Sequence, residues 1–379
     1  MDLPLPLRLL RYSLRIAYVI FNNIITIPSY ITWTLLLFPV KCLAPNIFWT
    51  LEPVFFKGLL AFITFWVSSG GYRIMESGDQ LDKILNAKAI LLVNHQSTSD
   101  VPVVMASFQP KGLVVGHMMW IMDYVFKFTN FGWISYFHGD FFIQQGKVGR
   151  EEQLTLLGKH LSSIFKKSLQ KWIILFPEGG FLRKRRKRSQ DFAKKHDYPV
   201  LQHVTLPRLG AIQVVINTLC ENNHPSVVEK QQSKEDPSSK LTRIDWIVDM
   251  TIGYPQAEPL DLHGICIGYW APRDISVHYR VYPINQVPTH NTELFTHWLY
   301  DRYHEKDKFL EQFYTNNVNL EDSDKEQRQQ PRMKRQSVDL DLISLLFFHL
   351  FYATSGYVFW CYLYSPVFSI VSSCLAFLF

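Results

Sequence analysis

A histidine and an aspartate stand five residues apart in Asn94-His95-Gln96-Ser97-Thr98-Ser99-Asp100. A neutral imidazole, with its pKa of about 6.5, takes a proton from a hydroxyl near neutral pH. A carboxylate on the other ring nitrogen fixes the tautomer and stabilises the imidazolium that forms. The pair suits a reaction in which an attacking hydroxyl loses its proton as a bond forms, such as acyl transfer from a thioester. With a good thiolate leaving group, that reaction needs no acyl-enzyme. Alone the pair is not specific. The chain has 13 histidines, so about one His with Asp at a given offset is expected by accident. An N-cap Asp beside a hydrogen-bonded His is the plain alternative.

Two later segments carry groups that fit beside such a base. Phe176-Pro177-Glu178-Gly179-Gly180 places Glu178 to accept a hydrogen bond from an acceptor hydroxyl, with glycines where backbone amides approach a ligand. Gly139-Asp140-Phe141-Phe142-Ile143 lies between the two, and Thr205-Leu206-Pro207-Arg208-Leu209-Gly210 follows. No GxSxG elbow occurs, which argues against a serine lipid hydrolase. The five cysteines are scattered without a CxxC pair, so neither a zinc site nor a disulfide framework is implied, and buried or lipid-facing free thiols are expected.

The elements that must hold these groups alternate along the chain. Ala89–Val93 and Trp172–Phe176 are short apolar runs suited to buried strands. Ile244–Asp249 and Ser276–Tyr282 alternate, the latter predicting a strand with one wet face. Leu154, Leu157, Leu161 and Ile164 fall on one face of a helix over Glu151–Lys167. Asp100, ahead of Pro102, reads as the cap of a helix that begins there. Strands separated by helices predict an α/β layered fold.

Both ends of the chain are apolar. Ile16–Val40 has no charged residue and is long enough to cross a bilayer of about 30 Å, with Pro28 a candidate kink. It is flanked by Arg8, Arg11, Arg15 and Lys41. The run between Lys57 and Arg73 is short for a span and reads as a re-entrant or interfacial helix paired with the first, a buried helix being the alternative. Leu342–Phe379 is uncharged and fits one or two spans, with Gly356 and Pro366 as candidate breaks. Arg332-Met333-Lys334-Arg335 precedes it and favours the cytosolic side. A hairpin of the first two segments would leave the N-terminus and the central domain on that side too. The expected division is membrane helices over 1–71, a catalytic domain over 72–320 with a polar insertion at 221–240, a polar linker over 321–341, and a membrane anchor over 342–379. A net charge of +6 and a 15% aromatic share fit anionic partners and membrane interfaces.

In this order and spacing, His95 with Asp100, the Gly139–Ile143 segment, Phe176–Gly179 and the Pro207 segment resemble the NHxxxxD, GxxFI, FPEG and proline blocks of the glycerophospholipid acyltransferase family. Ser189, Ala193, Pro199, Leu201 and His203 match the spacing around the last block in its eukaryotic membrane-bound branch. The resemblance implies a mixed sheet flanked by helices, preceded by a two-helix membrane motif. It implies His95 as base, Asp100 as its partner, and Glu178 and Gly179 lining the acceptor pocket, with Gly139, Phe142 and Pro207 in the substrate blocks. It implies acyl-CoA as a co-substrate rather than a bound cofactor, no metal, a lysophospholipid such as lysophosphatidylglycerol as acceptor, and a cytosol-facing place on the endoplasmic reticulum membrane. The second block of the family usually ends in Arg, which grips the acceptor phosphate; here the position is Gln145. The third block often continues Thr-Arg, here Gly180-Phe181, so phosphate recognition falls to Arg150, Arg183 or Arg208.

Arg183–Arg188 is six consecutive basic residues. Apolar segments at both ends argue against a nucleic-acid partner. A solvated loop drawn to anionic lipid is the main expectation, with Arg183 or Lys184 reaching the substrate phosphate or CoA. His117, His138 and His203 read as core or turn histidines. Trp120, Phe126, Phe128 and Phe131 read as core, a lining for the acyl chain being the alternative.

Overall fold

The computed structural model describes residues 4–144, 146, 149–165, 168–220, 243–322 and 335–378. Gln145, the insertion 221–240, Arg332–Lys334 and most of the 321–341 linker lie outside the described residues. Among those described, eight strands form one mixed sheet in the order β4-β3-β5-β2-β6-β7-β1-β8. They are β1 (Tyr72–Gly78), β2 (Ala89–Val93), β3 (Met118–Asp123), β4 (Phe141–Ile143), β5 (Trp172–Leu175), β6 (Trp246–Gly253), β7 (Arg273–Pro283) and β8 (Gln336–Ser337). Strands β4, β3, β5, β2 and β6 run parallel, while β7 is antiparallel to β6 and parallel to β1. An α/β fold with a mixed sheet is therefore what forms.

Every residue of β2 and of β5 is buried, as unbroken apolar runs require when helices cover both faces. The wet face expected of Ser276–Tyr282 does not form: Ile275–Tyr279 are all buried, and only the two ends of β7 are partly exposed. A long helix over Thr292–Asp322 covers that side, stacking Phe309 on His278 at 4.4 Å and setting Phe313 against Gly253. The core has two parts, one on each side of the sheet.

The helices before the sheet are α1 (Leu5–Phe21), α2 (Ile27–Leu36), α3 (Phe38–Leu43) and α4 (Pro45–Ser69). A wide π-helical turn, Asn22–Thr26, joins α1 to α2 without ending the helix, immediately ahead of Pro28. Leu5–Leu36, Pro45–Ser69 and Leu342–Ala376 are each long and apolar enough to cross a membrane. The first run thus starts well before Ile16, and α4 is a full-length helix rather than a short one. It tolerates Glu52 because α2 and the sheet domain enclose it: Tyr30 donates to Glu52 Oε1 at 2.5 Å, and His138 meets the same oxygen at 2.9 Å. Nor is Arg15 a free flanking charge. It is buried, and it donates to the carbonyls of Trp66 (2.7 Å), Ile265 (2.5 Å) and Cys266 (3.1 Å) and to Ser69 Oγ (2.6 Å). These groups lie in the last turns of α4 and of the short helix Leu262–Ile267, where a cation is favoured.

Neither Gly356 nor Pro366 breaks the C-terminal segment. Helix Leu342–Phe359 passes through a wide turn, Trp360–Tyr364, into Ser365–Leu378. Gly356 is where this helix crosses the first: a Cβ there would lie 2.4 Å from Ile25 Cγ2.

Candidate active site

His95 lies two residues past Val93, the last residue of β2. Asn94 ties that strand end to β6, donating to the Ile252 carbonyl (2.9 Å) and accepting from its amide (2.7 Å). The chain then loops over 95–99 into α5 (Asp100–Phe108). Asp100 is not the cap of α5 as expected. It is the first residue of the helix, and its carboxylate turns back toward the loop. Asp100 Oδ2 accepts from the amides of Gln96 (2.6 Å) and Ser97 (2.9 Å) and lies 2.9 Å from His95 Nδ1. Oδ1 accepts from the hydroxyl of Tyr254 at 2.6 Å. Asp100 is fully buried, whereas the His95 side chain keeps 16% exposure. With Nδ1 held by the carboxylate, Nε2 is the nitrogen left to take a substrate proton. The rings of Phe176 and Phe181 flank the imidazole at 4.4 and 4.5 Å.

Glu178 sits beneath the loop. Its Oε1 accepts from the His95 amide at 2.8 Å, and its Oε2 accepts from the amide and hydroxyl of Thr205, each at 2.9 Å. It is almost fully buried. Burial raises its pKa to about 7, against the pull of those donors. The sequence suggested a group that receives a substrate hydroxyl; in the folded chain both oxygens are engaged with backbone and Thr205, so Glu178 joins the His95 loop to the Pro207 segment. Gly179 adopts φ +66°, and a Cβ there would lie 2.8 Å from Arg208 Cδ. Its carbonyl accepts from Arg185 Nη2 at 2.5 Å. The amide of Arg208 donates to the Pro177 carbonyl at 2.7 Å, and Pro207 beside it is buried.

The basic run is not a loop. It lies in α8 (Leu182–Lys195), which follows α7 (Arg150–His160) in the chain and whose first amide donates to the His95 carbonyl at 2.8 Å. Arg183 and Arg208 are exposed near the site. Gly139 and Phe142 are not gathered with the others. Gly139 is the left-handed C-cap of α6 (Asn130–His138), and Phe142 lies in β4. That edge strand is three places from β2, roughly 14 Å at the usual strand spacing. Because β4 is parallel to β2, its end still faces the same side of the sheet, where open α/β sheets bind ligands.

Several contributors escaped the sequence reading. Tyr254 is 154 residues from Asp100, and its only signal is a polar aromatic just past the end of a strand parallel to β2. Lys306, from the long helix, lies behind β2 and carries no signal at all. It is buried, 2.8 Å from Asp249 Oδ1, and donates to the carbonyls of Met250 (2.6 Å) and Leu92 (3.3 Å). Of the three unassigned histidines, His117 is buried, His203 pairs with Glu311, and His138 bridges Glu52 and the Met118 carbonyl. Phe126 and Phe128 are exposed rather than core, while Trp120 is buried. No group of three or more metal-ligating side chains occurs among the described residues.

The chain resembles known proteins over most of its length. Residues 75–221 match the family model described as acyltransferase, and residues 266–344 match the one described as acyltransferase C-terminus. The chain is 45% identical over 306 residues to human acyl-CoA:lysophosphatidylglycerol acyltransferase 1, covering 81% of this chain and 82% of the relative. It is 32% identical to the putative 1-acyl-sn-glycerol-3-phosphate acyltransferase acl-12 of Caenorhabditis elegans, over 64% of this chain and 61% of that one. Chicken lysocardiolipin acyltransferase 1 is 25% identical, over 64% and 58%. No solved structure matches.

Proposed function

The chain belongs to the acyltransferase family, and from that premise we propose that it transfers a fatty acyl group from acyl-CoA to a hydroxyl of lysophosphatidylglycerol or a related lysoglycerophospholipid, with His95 as general base. The observation that carries this reading is the 2.9 Å contact of His95 Nδ1 with a buried Asp100, which leaves Nε2 on a partly exposed ring. The acceptor hydroxyl gives its proton to Nε2 while its oxygen attacks the thioester carbonyl. The tetrahedral intermediate collapses, the C–S bond breaks, and the CoA thiolate takes the proton from the imidazolium. Asp100 holds the tautomer and stabilises the charged ring; Glu178 holds the backbone of His95. Arg183 and Arg208, exposed beside the site, are the candidates for the acceptor phosphate. The relatives named for lysophosphatidylglycerol, 1-acyl-sn-glycerol-3-phosphate and lysocardiolipin favour a lysophospholipid acceptor. The three apolar helices favour a membrane enzyme, which we place in the endoplasmic reticulum with the sheet domain toward cytosolic acyl-CoA.

The test is to incubate membranes carrying the wild type or His95→Ala with labelled oleoyl-CoA and a panel of lysophospholipids and monoacylglycerol. Conversion of one acceptor by the wild type alone supports the base and names the acceptor. Wild-type membranes indistinguishable from empty ones across the panel would instead indicate a lipid-binding scaffold.

A further inference from the structure

The parallel strands end on the edge that carries His95, and just past β3 on that edge stands a turn of outward-facing rings. Tyr124–Phe128 forms a single 3-10 segment held by Asp123, whose side chain accepts from the Val125 amide at 3.0 Å. Val125 is 65% exposed and Phe128 74%. Lys127 Nζ lies 5.4 Å over the ring of Tyr124. Next comes α6, which buries Ile134, Ser135 and His138 but turns Trp133 (60%) and Tyr136 (65%) outward. Large rings so exposed are unusual on a face that meets only water.

Two neighbours identify what covers them. On one side, Asn130 at the start of α6 donates to Asn23 in the wide turn of the first apolar helix. The exposed rings therefore continue the exposed apolar face of Ile20, Phe21 and Ile24. On the other side, Arg185 of α8 lies within electrostatic reach of Asp123. The exposed cations Arg183, Lys184, Arg186, Lys187 and Arg188 border the same edge. Aromatic rings between a lipid-facing helix and a cationic band form the pattern of an interfacial membrane contact, where rings sit at headgroup depth and cations meet anionic lipid.

We propose that the Tyr124–Phe128 turn and the outer face of α6 seat in the headgroup layer of an anionic bilayer, a membrane contact separate from the apolar helices that holds the mouth of the His95 site against lipid in the leaflet. This rests on the reading of those helices as membrane-embedded, but not on the chemistry at His95.

The test is photolabelling of the wild-type chain in nanodiscs of phosphatidylcholine and phosphatidylglycerol. The probe is a phospholipid carrying a diazirine near its acyl carbonyl, and the labelled peptides are mapped by mass spectrometry. Peptides containing residues 124–136 are expected to carry label comparable to those of 5–36, and several-fold more than peptides of 292–300 at the start of the long helix. Phe128→Asp with Trp133→Asp lowers the label on 124–136 several-fold and leaves that on 5–36. If 5–36 is labelled while wild-type 124–136 is no better labelled than 292–300, the proposed headgroup contact is overturned and the membrane reading stands. If 5–36 is also unlabelled, both fall.

Discussion

The hydroxyl of Tyr254 donates to Asp100 Oδ1 at 2.6 Å, joining the end of β6 to the carboxylate that orients the His95 ring. Tyr254 is fully buried, and burial, with Asp100 beside it, raises its own pKa far above the ordinary tyrosine value, so it stays a donor. Tyr254→Phe removes one of four donors from Asp100. Turnover is expected to fall about tenfold, the effect of a hydrogen bond to a charged group, with little change in KM for acyl-CoA. Asp100→Asn frees the ring to take the other tautomer and is expected to cost about 10²–10⁴-fold in kcat. Steady-state kinetics on the two variants checks both; equal losses would mean that Tyr254 does more than steady the carboxylate.

Glu178 accepts from His95 and from Thr205, so Glu178→Gln sets an amide NH₂ against a donor on one of the two sides. A loss of about 1–3 kcal/mol in stability is expected from a buried donor left without an acceptor. Thr205→Val removes only the hydroxyl bond and should cost about 1 kcal/mol. Denaturant unfolding in detergent orders the two.

Lys306 and Asp249 are both buried and lie 2.8 Å apart. Lys306→Met leaves the carboxylate buried without its cation and is expected to destabilise by about 3–5 kcal/mol. Replacing both, Lys306→Met with Asp249→Leu, should recover much of that loss, because neither charge is then stranded. A thermal melt in which the double variant is worse than the single would refute this account.

His138 carries a pH dependence. Burial opposes its charge, but Glu52, Asp140 and the Met118 carbonyl outweigh burial and raise its pKa to about 9. The folded value lies above the unfolded one of about 6.5. The stabilisation is therefore fully present below about 6.5 and is lost as pH rises through about 9, on the order of 3 kcal/mol. His138→Asn should flatten the fall in Tm across that interval while lowering Tm at pH 6. A variant whose Tm falls as steeply as the wild type's would assign the pH dependence to another group.

Gly356 marks the crossing of the C-terminal helix over the first, with Ile25 and Ser29 against it. Gly356→Leu forces the two helices apart at backbone distance. Overpacking of this kind costs about 1–3 kcal/mol, and a lower melting temperature with unchanged α/β content by circular dichroism is the expected outcome.

The amino-acid sequence by itself determined the layered α/β fold, the three apolar segments and the pairing of His95 with Asp100. These are local properties: strand runs buried on both faces lose their alternation, membrane-length apolar runs exclude charge, and five residues span one strand-to-helix turn. Tertiary structure decided the rest. Asp100 reads as a helix cap because a carboxylate before a helix usually turns toward the helix amides; here the loop amides and Tyr254 take it instead. Arg15 reads as a charge flanking the first apolar run, but partners from distant elements bury it. The basic run reads as a loop, since like charges repel, yet α8 forms because its Leu182 and Ala193 pack inward and leave the cations in solvent. Tyr254 and Lys306 come beside the His95 loop only when elements far apart in sequence become neighbours around the sheet. That adjacency depends on which strands pair, and no local pattern encodes it.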